Sequence, residues 1–176
     1  MRVIGIDPGY DRVGIAIVDK PEGLSPDEHV KNGEKETLVY SECCTTSSTD
    51  DIYKRLLQVG QHIRDVIAKY KPDILAMETL FITKNQKTAM HVSEARGIIA
   101  YEAGLYGLPI FEYSPPQIKA AVTGDGHCDK RAIIKMIPLL ISISDTKRHD
   151  DEYDAIAVAL TCLASHSSTV HLSIAR

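Results

Sequence analysis

The sequence is poor in everything that would mark a metal-stapled, secreted or membrane protein. Its four cysteines, Cys43, Cys44, Cys128 and Cys162, include no C-x-x-C pair. That spacing excludes a recognisable zinc framework, and reduced, structurally incidental thiols are expected. No apolar run approaches the roughly 20 residues that a membrane span requires. The opening Met1-Arg2-Val3-Ile4-Gly5 reaches Asp7 too soon for the apolar region of a secretory signal, so a soluble, cytoplasmic chain with no membrane partner is expected. Internal repeats and low-complexity tracts are absent too. An excess of positive charge is also lacking. The net charge is −4, which at first sight disfavours a nucleic-acid partner. Its distribution reverses that reading. Asp19 to Asp51 holds nine acids and three bases, whereas Phe81 to His149 holds nine bases and six acids. The acidity is concentrated in one segment, and the remainder is free to present a basic surface to phosphates.

What is present is an ordinary globular composition, 44% apolar and 25% charged over 176 residues, enough for one hydrophobic core. Val3 to Ile6 reads as a buried strand closing in the turn Asp7-Pro8-Gly9, and Val13 to Val18 reads as its hairpin partner. The polar stretch from Pro21 to Glu36 is a surface loop, and Thr37 to Cys43 a third strand. Asp50 is positioned to cap a helix with apolar positions at Ile52, Leu56, Val59, Ile63, Val66 and Ile67, which Pro72 stops. Asp73 to Glu78 is a fourth strand. A helix over about 85–102 follows, ended by Gly104 and Gly107, and Leu108 to Tyr113 is a fifth strand. Short helices are expected near 117–121 and 129–138, and a last one near 152–164. This order implies an α/β fold, a mixed five-stranded sheet with helices on both faces. The first and fourth strands should lie side by side in its middle, and each ends in an acid, Asp7 and Glu78.

Asp151 and Asp154 stand three apart at the start of the last helix and so share one face. The apolar stripe Ile156, Val158, Ala159, Leu160 and Leu163 would bind that helix to the sheet, bringing its start towards the strand ends. Taken singly, Asp7 before Pro8-Gly9 is a good turn residue, and acids in a first helical turn suit the helix dipole. Glu78 at the end of an apolar strand is harder to explain structurally. Jointly, four convergent carboxylates repel one another unless cations occupy the cluster. All-oxygen ligands suit Mg²⁺ or Mn²⁺, and a pair of such ions serves phosphodiester hydrolysis.

At these residues the sequence resembles the RuvC family of crossover junction endonucleases. Gly5-Ile6-Asp7-Pro8-Gly9 is similar to the family's first-strand motif, and Met77 to Asn85 resembles its second acidic motif. Ala95-Arg96-Gly97, Phe111-Glu112-Tyr113, Gln117-Ile118-Lys119, Gly124 to Lys130, and Asp151 to Ala157 continue the pattern. The resemblance covers residues 2–165 or so. It implies a ribonuclease-H-like nuclease domain over residues 1–165, with 166–176 as a C-terminal tail. It also implies a homodimer that nicks Holliday junctions symmetrically during recombination and repair, with two Mg²⁺ per site (Mn²⁺ able to substitute) and a branch-migration helicase as a further partner. By resemblance, Asp7, Glu78, Asp151 and Asp154 are catalytic metal ligands, Lys130 is a catalytic basic residue near the scissile phosphate, and Lys119 is a basic DNA-binding residue near the same phosphate. Phe81 matches an aromatic that stacks on an unpaired base. Lys84, Lys87, Arg96 and Arg131 are candidate phosphate contacts. The helix over about 85–102 is the expected dimer surface.

The chain departs from the family in its long acidic loop 21–36, which is expected to point away from the junction. His149 is close enough in sequence to Asp151 to reach metals or phosphate, although a flanking surface histidine fits as well. A nuclease of the YqgF type acting on ribosomal RNA is the alternative within the fold. An actin/hexokinase-like ATPase would need a second domain and a phosphate loop that the sequence lacks, and a catalytically dead DNA-binding module would not need all four acids.

Overall fold

The computed structural model describes residues 1–21, 35–80, 86–144 and 147–167, side chains at 86, 87 and 167 excepted. The elements run β1 (Arg2–Asp7), β2 (Arg12–Asp19), β3 (Glu36–Thr45), α1 (Ile52–Tyr70), β4 (Ile74–Glu78), α2 (Gln86–Leu105), β5 (Ile110–Tyr113), α3 (Pro115–Thr123), α4 (Lys130–Leu140), β6 (Ile141–Ser142) and α5 (Asp150–Ser167). The sheet order is β5-β4-β1-β2-β3-β6. β1, β2 and β3 form the expected antiparallel meander, and β4 lies parallel to β1 with Ile6 opposite Met77. Asp7 and Glu78 therefore end neighbouring central strands on the same edge. This is the ribonuclease-H-like arrangement, with one strand more than expected. The added strand, β6, is two residues long and pairs Ile141 and Ser142 with Glu36 and Thr37. It is too short for periodicity to reveal.

Alternation along the strands divides the core in two. Ile4, Ile6, Ile15, Ile17, Leu75 and Met77 face α1 and α2. Val3, Ala16, Val18 and Ala76 face the other way, against α3, α4 and α5. Helices cover both faces, as the element order implies. α5 differs from a surface helix: every residue from Ala155 to Leu163 is buried, because α3 and α4 close over its outer side. The run Ala155-Ile156-Ala157-Val158-Ala159-Leu160 carries that signal, being apolar all round rather than on one stripe.

Several boundaries move for local reasons. α1 is capped by Asp51, whose carboxylate accepts from the N–H groups of Tyr53 and Lys54 at 2.9 and 3.1 Å. Asp50, one residue further out, instead takes the Lys54 ammonium at 2.7 Å. α2 runs through Gly104 and ends in a Schellman motif: Leu108 N–H donates to Ala103 O and Gly107 N–H to Gly104 O, with Gly107 at φ 70°. Pro138 sits inside α4, which continues two residues beyond it before the backbone turns extended at Ile141. The loop expected over 21–36 falls almost wholly outside the described residues.

Candidate active site

Two glycines let α5 approach the sheet. A Cβ at Gly5 would stand 2.2 Å from the Ala155 carbonyl oxygen, and one at Gly14 would stand 2.0 Å from that of Asp151. Gly14 is also the cross-strand partner of Asp7. The first turn of α5 thus rests on backbone directly beside Asp7, and no side chain separates Asp151 from the ends of β1 and β2. Glu78 completes the group from β4. Arg96, on α2, donates to the Glu78 main-chain carbonyl and pairs with Glu112 of β5 at 2.5 Å, joining the ends of the two strands.

The electrostatics follow from this crowding. Asp7 is pushed up to about 7, by burial first and then by the charges of Asp154, Glu78 and Asp151, with Lys130 opposing. Burial also raises Glu78, as does Asp154, against the influence of Arg96, Lys130 and Lys119. Asp154 is raised by burial, with Lys130 opposing and Asp151 and Asp150 adding to the rise. Three carboxyls of the four are held above their ordinary range, so the site as a whole disfavours its own negative charge. Two side-chain cations pair directly with its carboxylates. Lys130 Nζ donates to Asp154 Oδ2 at 2.7 Å and stands 3.7 Å from Asp150. Burial works to lower the Lys130 ammonium, but Asp154, Asp150 and Asp151 together leave it raised. Arg12 Nε lies 3.3 Å from Asp151 Oδ2, and the Cys43 thiol donates to the same oxygen at 3.5 Å. No three Asp, Glu, His or Cys side chains among the described residues are close enough to share an ion, and Asp154 is engaged by Lys130 and Asp151 by Arg12. The chemistry of the donor set nonetheless suits a hard divalent cation, since it consists of carboxylates only, three of them raised by burial and by one another's charge. Two adjoining clefts flank Glu78 and Pro115. One, of about 200 Å³, includes Lys119, Lys130 and Asp154 in its wall. The other, of about 320 Å³, includes Asp7 and Leu80.

With that geometry, the relatives of the chain are informative. The family profile described as crossover junction endodeoxyribonuclease RuvC matches residues 3–162. The chain belongs to the RuvC family. A crossover junction endodeoxyribonuclease RuvC of Thermosipho melanesiensis is 38% identical over 164 residues, covering 93% of this chain and 97% of the relative. The RuvC of Caldicellulosiruptor saccharolyticus is 37% identical over 171 residues, 97% of each chain. The solved structure of Thermus thermophilus RuvC with a Holliday junction substrate superposes with a TM-score of 0.84 at 27% identity over 96% of each chain. The yeast mitochondrial resolvase Ydc2, at 13% identity and a TM-score of 0.69 over 97% of this chain and 81% of its own, shares the fold. The matching family is RuvC, and the YqgF alternative is not favoured.

The residues singled out from the sequence separate into four groups. Asp7, Glu78, Asp151, Asp154 and Lys130 stand together at the ends of β1 and β4 and the start of α5, and Lys119 lines the adjoining cleft. Arg131 is exposed on the first turn of α4, and His149 is exposed just before α5. Arg96 lies 13% exposed and is engaged within the protein, so as placed it braces β4 rather than facing a phosphate. Phe81, Lys84 and the side chain of Lys87 lie outside the described residues. Sequence reasoning missed Arg12, Cys43 and Glu152. Arg12 was findable, being two residues before the cross-strand partner of Asp7. Glu152 is buried, accepts from Ser41 Oγ at 2.6 Å and from His149 N–H at 2.9 Å, and fixes the start of α5. Its capping-box role is masked by a histidine at the cap, where Ser, Thr, Asp or Asn would have signalled it.

Proposed function

We propose that the chain resolves four-way Holliday junctions, cutting two opposing DNA strands by metal-dependent phosphodiester hydrolysis during recombination and repair. The observation that carries this reading is the carboxylate group at the ends of β1 and β4, short of positive charge and opening onto a cleft walled by Lys119 and Lys130. Asp7, Glu78, Asp151 and Asp154 would hold Mg²⁺, or Mn²⁺ in its place, as two ions per site. When bound, such ions supply Lewis-acid stabilisation of the charge that develops on the phosphate during in-line attack by water. The protein's own part is placement. The rigid ends of β1 and β4 fix Asp7 and Glu78, and the Gly5 and Gly14 contacts fix Asp151 and Asp154 against them. Lys130 and Lys119 orient the scissile phosphate from the cleft wall, and Lys130 offsets charge there. Arg96 positions Glu78 through its main-chain carbonyl. Phe81 stacks on an unpaired base at the crossover, a contact worth about 1–3 kcal/mol, and Lys84, Lys87 and Arg131 meet phosphates further out.

Symmetric cutting needs two sites. On α2, Met90, Tyr101 and Leu105 are 64%, 63% and 58% exposed and share a stripe with Gly97 at seven- and four-residue spacing. That stripe is the homodimer surface in this reading. The nuclease domain spans residues 1–165 and works in the cytoplasm; a branch-migration helicase as partner rests on the family resemblance alone. The test is cleavage of an end-labelled synthetic four-way junction in Mg²⁺, beside linear duplex and structured RNA. Paired nicks at symmetric positions in the junction alone are expected. Cutting of the RNA in preference to the junction would overturn the reading.

A further inference from the structure

The carboxylate group contains a cation that neither its motif nor its strand pattern had marked. Arg12 opens β2, opposite Thr45 of β3. Its backbone root is firmly held. Thr46 N–H donates to Asp11 O at 3.0 Å, and Thr46 Oγ1 donates to Tyr10 O at 2.6 Å. The buried Arg55 pairs with Asp11, and its guanidinium lies 4.7 Å over the Tyr10 ring. The Arg12 tip is the opposite case. Its side chain is 62% exposed, and Asp151 Oδ2 at 3.3 Å is its polar partner. Asp151 itself does not depend on Arg12 alone, because the Cys43 thiol donates to the same oxygen. A guanidinium with a fixed root and a free tip can therefore leave Asp151 without orphaning that carboxylate.

Its departure is what a divalent ion would demand. An ion taking Asp151 brings two positive charges within a few ångströms of a guanidinium that never deprotonates. Arg12 must then turn outward, on the side where DNA would lie, and its planar fork suits a phosphate. Lys130 on Asp154 is less free to do this, since it lies deeper in the cleft wall, 44% exposed and near both Asp154 and Asp150.

We propose that Arg12 is an exchangeable cation of the active site: it neutralises Asp151 while no metal is bound, and contacts a backbone phosphate of the DNA once a divalent ion takes that carboxylate. This inference rests on the metal-dependent, junction-cutting reading. It predicts effects of opposite sign from a single substitution, which simple loss of structure cannot produce. Mn²⁺ titrated calorimetrically into the DNA-free protein should bind Arg12→Gln roughly two- to fivefold more tightly than the unsubstituted chain, the range an exposed ion pair supports. Junction binding in Ca²⁺, followed by fluorescence anisotropy over a salt series, should weaken in the same variant. The slope of log affinity against log salt should become shallower by about 0.9, one phosphate contact fewer. Arg12→Lys, which keeps the charge, should retain the original slope. Unchanged or weaker Mn²⁺ binding by Arg12→Gln, or an unchanged salt slope, would overturn the proposal. If the unsubstituted chain binds neither Mn²⁺ nor the junction, it is the underlying functional reading that fails.

Discussion

Asp7 shows how far a single residue is defined by its surroundings. An aspartate before Pro8-Gly9 would titrate near 4 if it were only a turn residue. Here it is pushed up to about 7 by burial and three neighbouring acids. Because the folded pKa exceeds the unfolded one, the native state binds more protons between these values. The resulting stability is fully present below about pH 4 and is lost as pH rises through about 7. In EDTA, thermal unfolding should therefore show Asp7→Asn to be more stable than the unsubstituted chain at pH 8, by about 2–4 kcal/mol. The advantage should shrink at pH 5. Mg²⁺ at pH 8 should narrow it from the other side, by stabilising only the chain that keeps all four acids. Equal stability of the two proteins at pH 8 in EDTA would show that Asp7 does not experience the cluster. The acids themselves were legible in the sequence because chemistry needs them at strand and helix ends. The cations that answer them were less so. Lys130 came through the family pattern, while Arg12, separated from Asp151 by 139 positions, meets it only because the start of α5 is seated on β2.

At the scale of elements, the decisive feature is the seating of α5 on glycine backbone. Asp151 and Asp154 can meet Asp7 only because positions 5 and 14 carry no Cβ. In Gly14→Ala the new methyl meets the Asp151 carbonyl oxygen, a backbone atom that cannot rotate away, so the helix start must shift. We expect a loss of about 2–4 kcal/mol, at or above the upper end of overpacking costs. Junction cleavage should also fall by more than tenfold in protein still folded at the assay temperature. Denaturant unfolding and single-turnover cleavage would measure the two, and near-wild-type values in both would contradict the close approach. This seating was not legible in sequence, where Gly5 and Gly14 read as ordinary strand residues. The strands and long helices were legible, since two- and near-four-residue periodicities span enough residues to be unambiguous. β6 was not, because two residues carry no period. The cap of α1 was displaced by one residue because Asp50 and Asp51 carry equal capping chemistry, and only the backbone decides between them.

For the whole molecule, the two-core sandwich leaves several large apolar side chains exposed among the described residues, and three of them, Met90, Tyr101 and Leu105, form a stripe along α2. If it is the dimer contact, Tyr101→Arg should shift the chain from dimer to monomer in sedimentation experiments without changing its far-ultraviolet spectrum. Paired nicking should give way to single nicks, each site still competent but no longer coupled to a second. A dimer that persists unchanged would place the contact elsewhere. The net acidity of the chain is no obstacle to binding DNA, because the cleft presents Lys119 and Lys130 while many of the acids lie in the segment 19–51.

The central claim is that the carboxylates at the ends of β1 and β4 and the start of α5 act as one metal-dependent centre on junction DNA. Single-turnover cleavage of a four-way junction by Asp7→Asn in Mg²⁺, with junction affinity measured alongside, tests it most directly. The account predicts a rate lower by about a thousandfold or more, an effect of some 4 kcal/mol on the barrier, with junction binding changed only a few-fold. Cleavage within tenfold of the unsubstituted rate would contradict it.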